Sequence, residues 1–118
     1  ILYLQNGRNE KVINQIVLVG RLVSDPQINE TENGTKECNI TLAVPRSYKN
    51  SVGIYETDFI PVKLYEGIAE NTAEYCKKGD LIGIKGRTQT KQEEDKNIIE
   101  IVAERVTFLS SRKGTEEE

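Results

Sequence analysis

Residues 57–65 combine aromatic, basic and aliphatic side chains in an alternating order. Successive side chains of a β-strand point to opposite faces, so this order predicts two different faces. One face would be an aliphatic core face, formed by Ile60, Val62 and Leu64. The other face would mix rings, a proline and an ammonium group, contributed by Phe59, Pro61, Lys63 and Tyr65.

Rings beside an ammonium group suit a ligand that has both flat faces and negative charges. Unpaired nucleotides have both, because their bases stack on aromatic rings and their phosphates meet cations. The alternative is that Phe59 and Tyr65 pack under a loop or against another subunit, while Lys63 extends into solvent. This stretch alone leaves both interpretations open.

A second segment, residues 45–50, also joins an aromatic ring to cations. It contains Arg46, Tyr48 and Lys49 and follows a predicted strand at residues 38–44. An ordinary polar loop with one tyrosine would have the same composition. The segment therefore gains significance only if the fold places it beside residues 57–65.

The elements that must position these residues are short strands rich in Val, Ile and Leu, which favour sheet. Strands are predicted at residues 12–23, 38–44, 57–65, 81–91 and 98–109. Apolar residues at helical spacing predict one helix over residues 67–78, ended by Gly79. Gly20-Arg21 and Gly86-Arg87 interrupt two strands, as expected where a sheet curves strongly. The predicted fold is all-β, a five-stranded OB barrel with one short helix between the third and fourth strands.

Composition excludes several function classes. The 118 residues suffice for one domain and contain no histidine, which removes the commonest general base and metal ligand. The chain shows no nucleophile motif, P-loop or dinucleotide fingerprint, and Cys38 and Cys76 lack metal-ligand spacing. We therefore expect no enzyme activity, no cofactor and no bound metal. The absence of an apolar run of about 18 residues predicts no membrane span, and the sparse cysteines favour the cytoplasm.

The charge balance permits a basic groove even though the net charge is −3. Glu116, Glu117 and Glu118 account for this excess, so the rest of the chain is neutral. We expect three parts: an N-terminal extension or expression-tag remnant at residues 1–11, a domain at residues 12–110, and an acidic flexible tail at residues 111–118.

The ordered motifs of residues 12–109 resemble bacterial single-stranded DNA-binding proteins. The first matches are Asn14-Gln15-Ile16-Val17-Leu18-Val19-Gly20-Arg21-Leu22, Asp25-Pro26 and Ile40-Thr41-Leu42-Ala43-Val44. The later matches are Thr57-Asp58-Phe59-Ile60, Ala69-Glu70-Asn71, Lys77-Lys78-Gly79, Gly86-Arg87 and Val102-Ala103-Glu104-Arg105-Val106-Thr107-Phe108-Leu109. No single motif is specific, but their order and spacing are typical of this family.

The resemblance implies an OB fold, usually a homotetramer, that wraps single-stranded DNA without sequence preference during replication, recombination and repair. A dimer is the alternative assembly. The residues that match stacking positions of the family are Tyr48, Phe59 and Tyr65. The candidate phosphate contacts are Arg21, Arg46, Lys49, Lys63, Arg87 and Lys91. Location in the cytoplasm, on the nucleoid, follows from the same resemblance.

Two features depart from the family pattern. The loop before the last strand reads Gln92-Glu93-Glu94-Asp95, where some members carry an aromatic residue, so the loop points away from DNA or the DNA path differs. Members usually end in a long tail with an acidic tip that recruits replication and repair proteins. This chain stops at Glu118 without that tip, through truncation or as a short variant such as one from a phage or mobile element.

Two other function classes remain as alternatives. An OB interaction module of the primosome-accessory type would bind partner proteins through this face and would bind single strands weakly. An enzyme fragment or an oligosaccharide-binding domain is disfavoured by the absence of histidine and of catalytic clusters.

Overall fold

The computed structural model describes residues 12–111, which form six strands and one helix. The strands are β1 (Ile16–Leu22), β2 (Ile28–Glu30), β3 (Lys36–Lys49), β4 (Tyr55–Tyr65), β5 (Leu81–Glu93) and β6 (Lys96–Ser110). The helix, α1, spans Glu66–Tyr75 and joins β4 to β5. The predictions for residues 1–11 and for the tail beyond Ser111 lie outside the described residues.

Five of the strands close into a barrel, which confirms the predicted fold class. Neighbouring strands follow the order β1-β5-β6-β4-β3-β2, and a further pairing of β1 with β3 closes the ring. The closing register places Arg21 opposite Ala43 and Leu22 opposite Leu42. All pairings are antiparallel except that of β4 with β6, where Lys63 lies opposite Val102.

Alternating side chains fill the barrel. Inward positions of β3 and β4 are almost wholly buried, including Ile40, Leu42, Val62 and Leu64. Ile82 and Ile84 of β5 complete this core, and α1 covers one end of it with Ala69. The predicted split of residues 57–65 into an aliphatic face and a mixed face is thus correct for the inward side.

Cys38 and Cys76 belong to the same core and are free thiols. Burial raises the pKa of both thiols, and the nearby Asp80 carboxylate adds to the rise at Cys76. Among residues 12–111, no group of His, Cys, Asp and Glu side chains could hold a metal ion. Within the same residues, no helix is long and apolar enough to cross a membrane.

The two predicted glycine bends are points where backbones approach closely. A Cβ on Gly20 would lie 2.7 Å from the carbonyl oxygen of Ala43 across the closing pair of strands. A Cβ on Gly86 would overlap the backbone of Val102, and the β5–β6 register shifts between Lys85 and Gly86. Glycine is therefore required at both bends for steric reasons.

The helix follows the strand at residues 57–65, as predicted. It lies between the fourth and fifth strands, however, and not between the third and fourth. The short strand β2 was not predicted, because residues 25–37 are polar, so α1 lies between β4 and β5. The helix also ends at Tyr75, before the lysine pair at positions 77 and 78, and its last turn holds no basic residue. Lys78 instead donates its backbone N–H to Asp25 at 2.7 Å.

The β3–β4 and β5–β6 hairpins extend beyond the strands that the apolar residues predict. Strand β3 continues through the segment 45–49, with a register irregularity between Pro45 and Lys49. Strands β5 and β6 run together up to a two-residue turn at Glu94 and Asp95, where both residues have positive φ. Residues 92–97, which the sequence leaves as a loop between two predicted strands, therefore belong to the hairpin, because backbone pairing needs no apolar side chains.

The close approach at Gly86 leads to a stability prediction. We expect Gly86→Ala to lower the free energy of unfolding by about 1–3 kcal/mol, because the new methyl group must displace the β6 backbone. Gly67→Ala is the matched control: its Cβ meets open space within α1, so it should raise stability by up to about 1 kcal/mol. Urea unfolding measures both changes, and equal stability of the two variants would contradict the prediction.

Candidate nucleic-acid interface

The outward sides of β3 and β4 form one continuous surface because the two strands pair in register. Phe59 lies opposite Ala43, Pro61 opposite Thr41, and Lys63 opposite Asn39, with Tyr65 opposite Glu37 at the end of the row. We call this surface the β3–β4 outer face and define it by those eight residues. The predicted mixed face of residues 57–65 therefore points away from the core.

The predicted stacking residues differ in how open their rings are. Phe59 is 65% exposed on the β3–β4 outer face, and Tyr48 is 61% exposed farther along the same hairpin. Tyr65 is only half-buried, and its burial raises the pKa of its hydroxyl, helped by the Glu100 and Glu37 carboxylates. Phe59 and Tyr48 are thus open to a flat ligand as they stand, whereas Tyr65 is partly covered.

The β3–β4 outer face is the floor of a groove, and the β5–β6 hairpin forms its wall. The groove has a volume of about 290 Å³. Its floor includes Asn39, Thr41, Pro61 and Lys63, and its wall includes Lys91, Glu93 and residues 98–101. A groove with apolar, amide and basic groups can accommodate both a base and a phosphate.

Two lysines of the groove share one carboxylate. The Nζ atom of Lys91 lies 3.3 Å from Oε2 of Glu100, and that of Lys63 lies 3.9 Å from the same oxygen. Lys63 also donates to Oδ1 of Asn39 at 3.1 Å. The hydrogen bond to Glu100 raises the pKa of Lys91. Burial opposes ionisation of Glu100, but hydrogen bonds from Gln89 and Lys91 outweigh it and lower the pKa of its carboxyl group.

Arg46 is held by two carboxylates of β4. Its Nε and NH2 atoms donate to the two oxygens of Asp58 at 3.0 and 2.9 Å, and NH1 donates to Glu56 at 2.7 Å. This two-pronged geometry is the strong form of a charge-assisted hydrogen bond. The bond to Arg46 lowers the pKa of Asp58 and raises that of Arg46. Arg46 therefore links β3 to β4 in the hairpin. To contact a phosphate directly, its guanidinium group would have to break a bond to Asp58 or Glu56.

The other predicted phosphate contacts lie on β1, β3 and β5, and each has a partner within the chain. Arg21 lies one strand beyond Ala43, and its NH1 atom donates to the carbonyl of Gly79 at 2.9 Å. Arg87 lies 3.3 Å from a carboxylate oxygen of Glu104 and donates to Gln89. Lys49 places its Nζ atom 5.7 Å from the ring centre of Tyr55, in cation–π range.

Several residues of the interface were not among the predicted site residues. Tyr55 is 56% exposed and faces Lys49 across the hairpin, and only its place in the long β4 strand could have indicated this. Ile98 and Ile99 line the groove although their sequence suggests core. Glu100 lines the groove beside Lys91, because it pairs with Gln89 across β5 and β6. No sequence signal indicates that its carboxylate meets both lysines.

The barrel and this face together define an OB-type binding domain. Residues 13–109 match the model of the single-strand binding protein family. Single-stranded DNA-binding protein B of Bacillus subtilis is 41% identical over 86% of this chain and 94% of its own length. Single-stranded DNA-binding protein 1 of Clostridium acetobutylicum is 43% identical over 86% of this chain and 97% of its own. The chain belongs to the single-strand binding protein family, which confirms the resemblance.

A solved structure gives the same result for the fold. The crystal structure of wild-type single-stranded DNA binding protein from Thermus aquaticus superposes with a TM-score of 0.72 and 26% sequence identity. The match covers 86% of this chain and 52% of that one, so this chain corresponds to about half of that protein.

The Arg46–Asp58 pair gives a pH-dependent stability prediction. Because the folded protein lowers the pKa of Asp58, the pair stabilises fully above the ordinary aspartate pKa of about 3.9. Its contribution is lost as the pH falls through the lower pKa of the folded state. We expect Asp58→Asn to lower Tm at pH 7 and to have no effect once the pH is below that folded pKa.

Arg46→Gln is the matched variant, since it removes the same pair from the other side and should show the same pH trend. Thermal unfolding followed by circular dichroism from pH 2 to 7 measures both. A Tm difference between wild type and Asp58→Asn that stays constant over this range would contradict the assignment.

Proposed function

We propose that this protein binds single-stranded DNA without sequence preference and protects it during replication, recombination and repair. The observation that carries the proposal is the exposed Phe59 ring on β4, two positions before Pro61 of the groove that contains Lys63 and Lys91. The family membership of residues 13–109 supports it. On this proposal the protein is a binding protein rather than an enzyme, and acts on the nucleoid in the cytoplasm.

Base stacking supplies the first part of the mechanism. Each stack of a base on an aromatic ring contributes roughly 1–3 kcal/mol, and every base offers a ring face, so stacking alone does not select a sequence. Phe59 and Tyr48 are open to accept bases, and Tyr65 becomes available if its half-buried ring turns outward. Tyr55 adds a third aromatic residue to β4, beside Phe59 and Tyr65, and lies nearest the hairpin tip.

Contacts with phosphates supply the second part. Binding to a single strand weakens with salt by a slope of about −0.7 per phosphate contact. Lys63 and Lys91 lie inside the groove and are the best placed of the predicted cations. Arg21, Arg46, Lys49 and Arg87 do not line the groove, and each already has a partner within the chain.

A homo-oligomer is part of the proposal, with a tetramer as the expected form and a dimer as the alternative. The outward side of β1 carries Val17, 63% exposed, and Val19, 47% exposed. Val19 and Leu109 both approach Gly83, so an apolar surface extends from β1 across β5 to β6. Apolar surface of this kind is typical of interfaces between subunits.

One observation favours a second candidate function. Internal carboxylates already pair with Arg46, Lys63, Arg87 and Lys91, which reduces the positive potential that DNA would meet. A domain that binds partner proteins through its aromatic face, as primosome accessory modules do, needs no such potential. Recruitment of replication and repair proteins through an acidic C-terminal tail is a separate proposal, made from the family resemblance.

The binding prediction compares a single strand with a duplex. We expect salt-sensitive binding of oligo(dT), and little binding of an equal-length duplex, in a titration followed by tyrosine fluorescence. Phe59→Ala and Tyr48→Ala should each weaken the oligo(dT) complex by about 1–3 kcal/mol, a five- to 150-fold rise in Kd.

Tyr75→Ala is the matched control, because this tyrosine is equally exposed but lies on α1 beside Phe108, away from the groove. It should bind like wild type. Equal binding of duplex and single strand, or wild-type affinity in both Phe59→Ala and Tyr48→Ala, would contradict the stacking model and favour the protein-interaction module.

The proposed assembly has its own test. Val19→Glu places a charge in the middle of the apolar β1 surface and should reduce the mass measured by light scattering to that of a smaller species. Val52→Glu, at the 73% exposed tip of the β3–β4 hairpin, should leave the mass unchanged. A Val19→Glu protein with the wild-type mass would show that subunits meet elsewhere.

A further inference from the structure

Glu100 occupies an unusual place for an acidic residue in a groove proposed to bind a polyanion. Its side chain is only 9% exposed, and Oε2 lies 3.3 Å from Lys91 and 3.9 Å from Lys63. The other oxygen, Oε1, accepts a hydrogen bond from Nε2 of Gln89 at 3.1 Å. The carboxylate therefore forms ion pairs with both lysines of the groove before any ligand arrives.

The backbone fixes this carboxylate in place. Glu100 and Gln89 face each other across β5 and β6, and Lys91 follows two positions along the same side of β5. Lys63 comes from β4, where it pairs with Val102, two positions beyond Glu100 on β6. Three strands therefore converge on one anionic group, and loop motion is not needed to bring them together.

A phosphate of DNA would need the same donors that Glu100 now uses. Each lysine offers ammonium hydrogens to an anionic oxygen, and carboxylate and phosphate oxygens both accept charge-assisted hydrogen bonds from such a group. Glu93 also approaches Lys91, at 3.8 Å, so the groove holds two cations, Lys63 and Lys91, and two anions, Glu93 and Glu100. The charges of these four side chains sum to zero.

We propose that Glu100 is a specificity-determining residue that competes with phosphate for Lys63 and Lys91. The inference rests on the proposed function and deepens it. With Glu100 present, charge alone gives little binding, so a ligand must also stack bases on the open rings. Glu100 thereby disfavours polyanions whose bases are hidden, such as duplex DNA.

The main experiment removes the charge and keeps the shape. Glu100→Gln can still accept from Gln89, and Glu74→Gln on the exposed side of α1 removes one negative charge elsewhere as the control. Wild type and both variants are titrated with oligo(dT) and with an equal-length duplex over a range of salt concentrations at one pH.

We expect Glu100→Gln to bind oligo(dT) roughly tenfold more tightly at low salt, since one repulsive charge within about 4 Å of a phosphate is removed. The slope of log K against log salt should steepen by about 0.7, the value of one further contact. Duplex binding should increase by a larger factor than oligo(dT) binding. Glu74→Gln should leave the slope unchanged.

A purely structural role for Glu100 predicts the opposite outcome, because lysines released from their carboxylate would lose their orientation. Weaker oligo(dT) binding by Glu100→Gln, or an unchanged salt slope, would overturn the proposal. If wild type and Glu100→Gln both fail to bind oligo(dT), the proposed function is wrong and the inference falls with it. Wild-type binding with an unaffected variant contradicts the inference alone.

A second variant covers a loss of folding by Glu100→Gln. Lys91→Gln in the wild-type background should flatten the salt slope by clearly less than the roughly 0.7 of a full phosphate contact, because Glu100 already neutralises that lysine. A full loss of about 0.7 would show that Lys91 acts independently of Glu100 and would overturn the proposal.

Discussion

The double pairing of β3 with β1 and with β4 is the constraint on which this structure depends. Leu42 and Ala43 of β3 pair with β1 on one side and with β4 on the other, so the same strand both closes the barrel and supplies part of the groove floor. Closure requires the backbones to touch at Gly20, where β1 turns onto β3. A slip of one residue would turn Val62 and Leu64 outward, so the buried face fixes the register of β4. Phe59 and Lys63 consequently stay on the outside.

Electrostatics in the groove is balanced rather than simply positive. The carboxylates of Asp58, on β4, and Glu100, on β6, hold Arg46, Lys63 and Lys91 in defined positions. Preorganised side chains lose less entropy when a ligand binds, while their existing partners reduce the gain from each new contact. A neutral domain can therefore be proposed to bind an anionic ligand, because its positive charges are placed and partly neutralised by these two carboxylates.

The sequence predicts the barrel well because its strongest signals are steric and apolar. Alternation along residues 57–65 correctly separates Val62 and Leu64 from Phe59 and Lys63. Local patterns fail where backbone pairing alone makes structure, as in β2 and the ends of the β5–β6 hairpin. They also fail for ion pairs, because the contact of Glu100 with Lys63 depends on the distant pairing of β6 with β4. The functional roles of Tyr48, Phe59 and Tyr65 remain predictions.

The two buried thiols have a practical consequence for chemical labelling. Cys38 and Cys76 are almost inaccessible, and their raised pKa leaves little of the reactive thiolate at neutral pH. A cysteine introduced at an exposed position would therefore react with a maleimide dye far faster than either native thiol. Val52, at the exposed tip of the β3–β4 hairpin that carries Tyr48 and Tyr55, offers such a position. A dye attached there would report optically on occupation of the groove, without removal of the core cysteines.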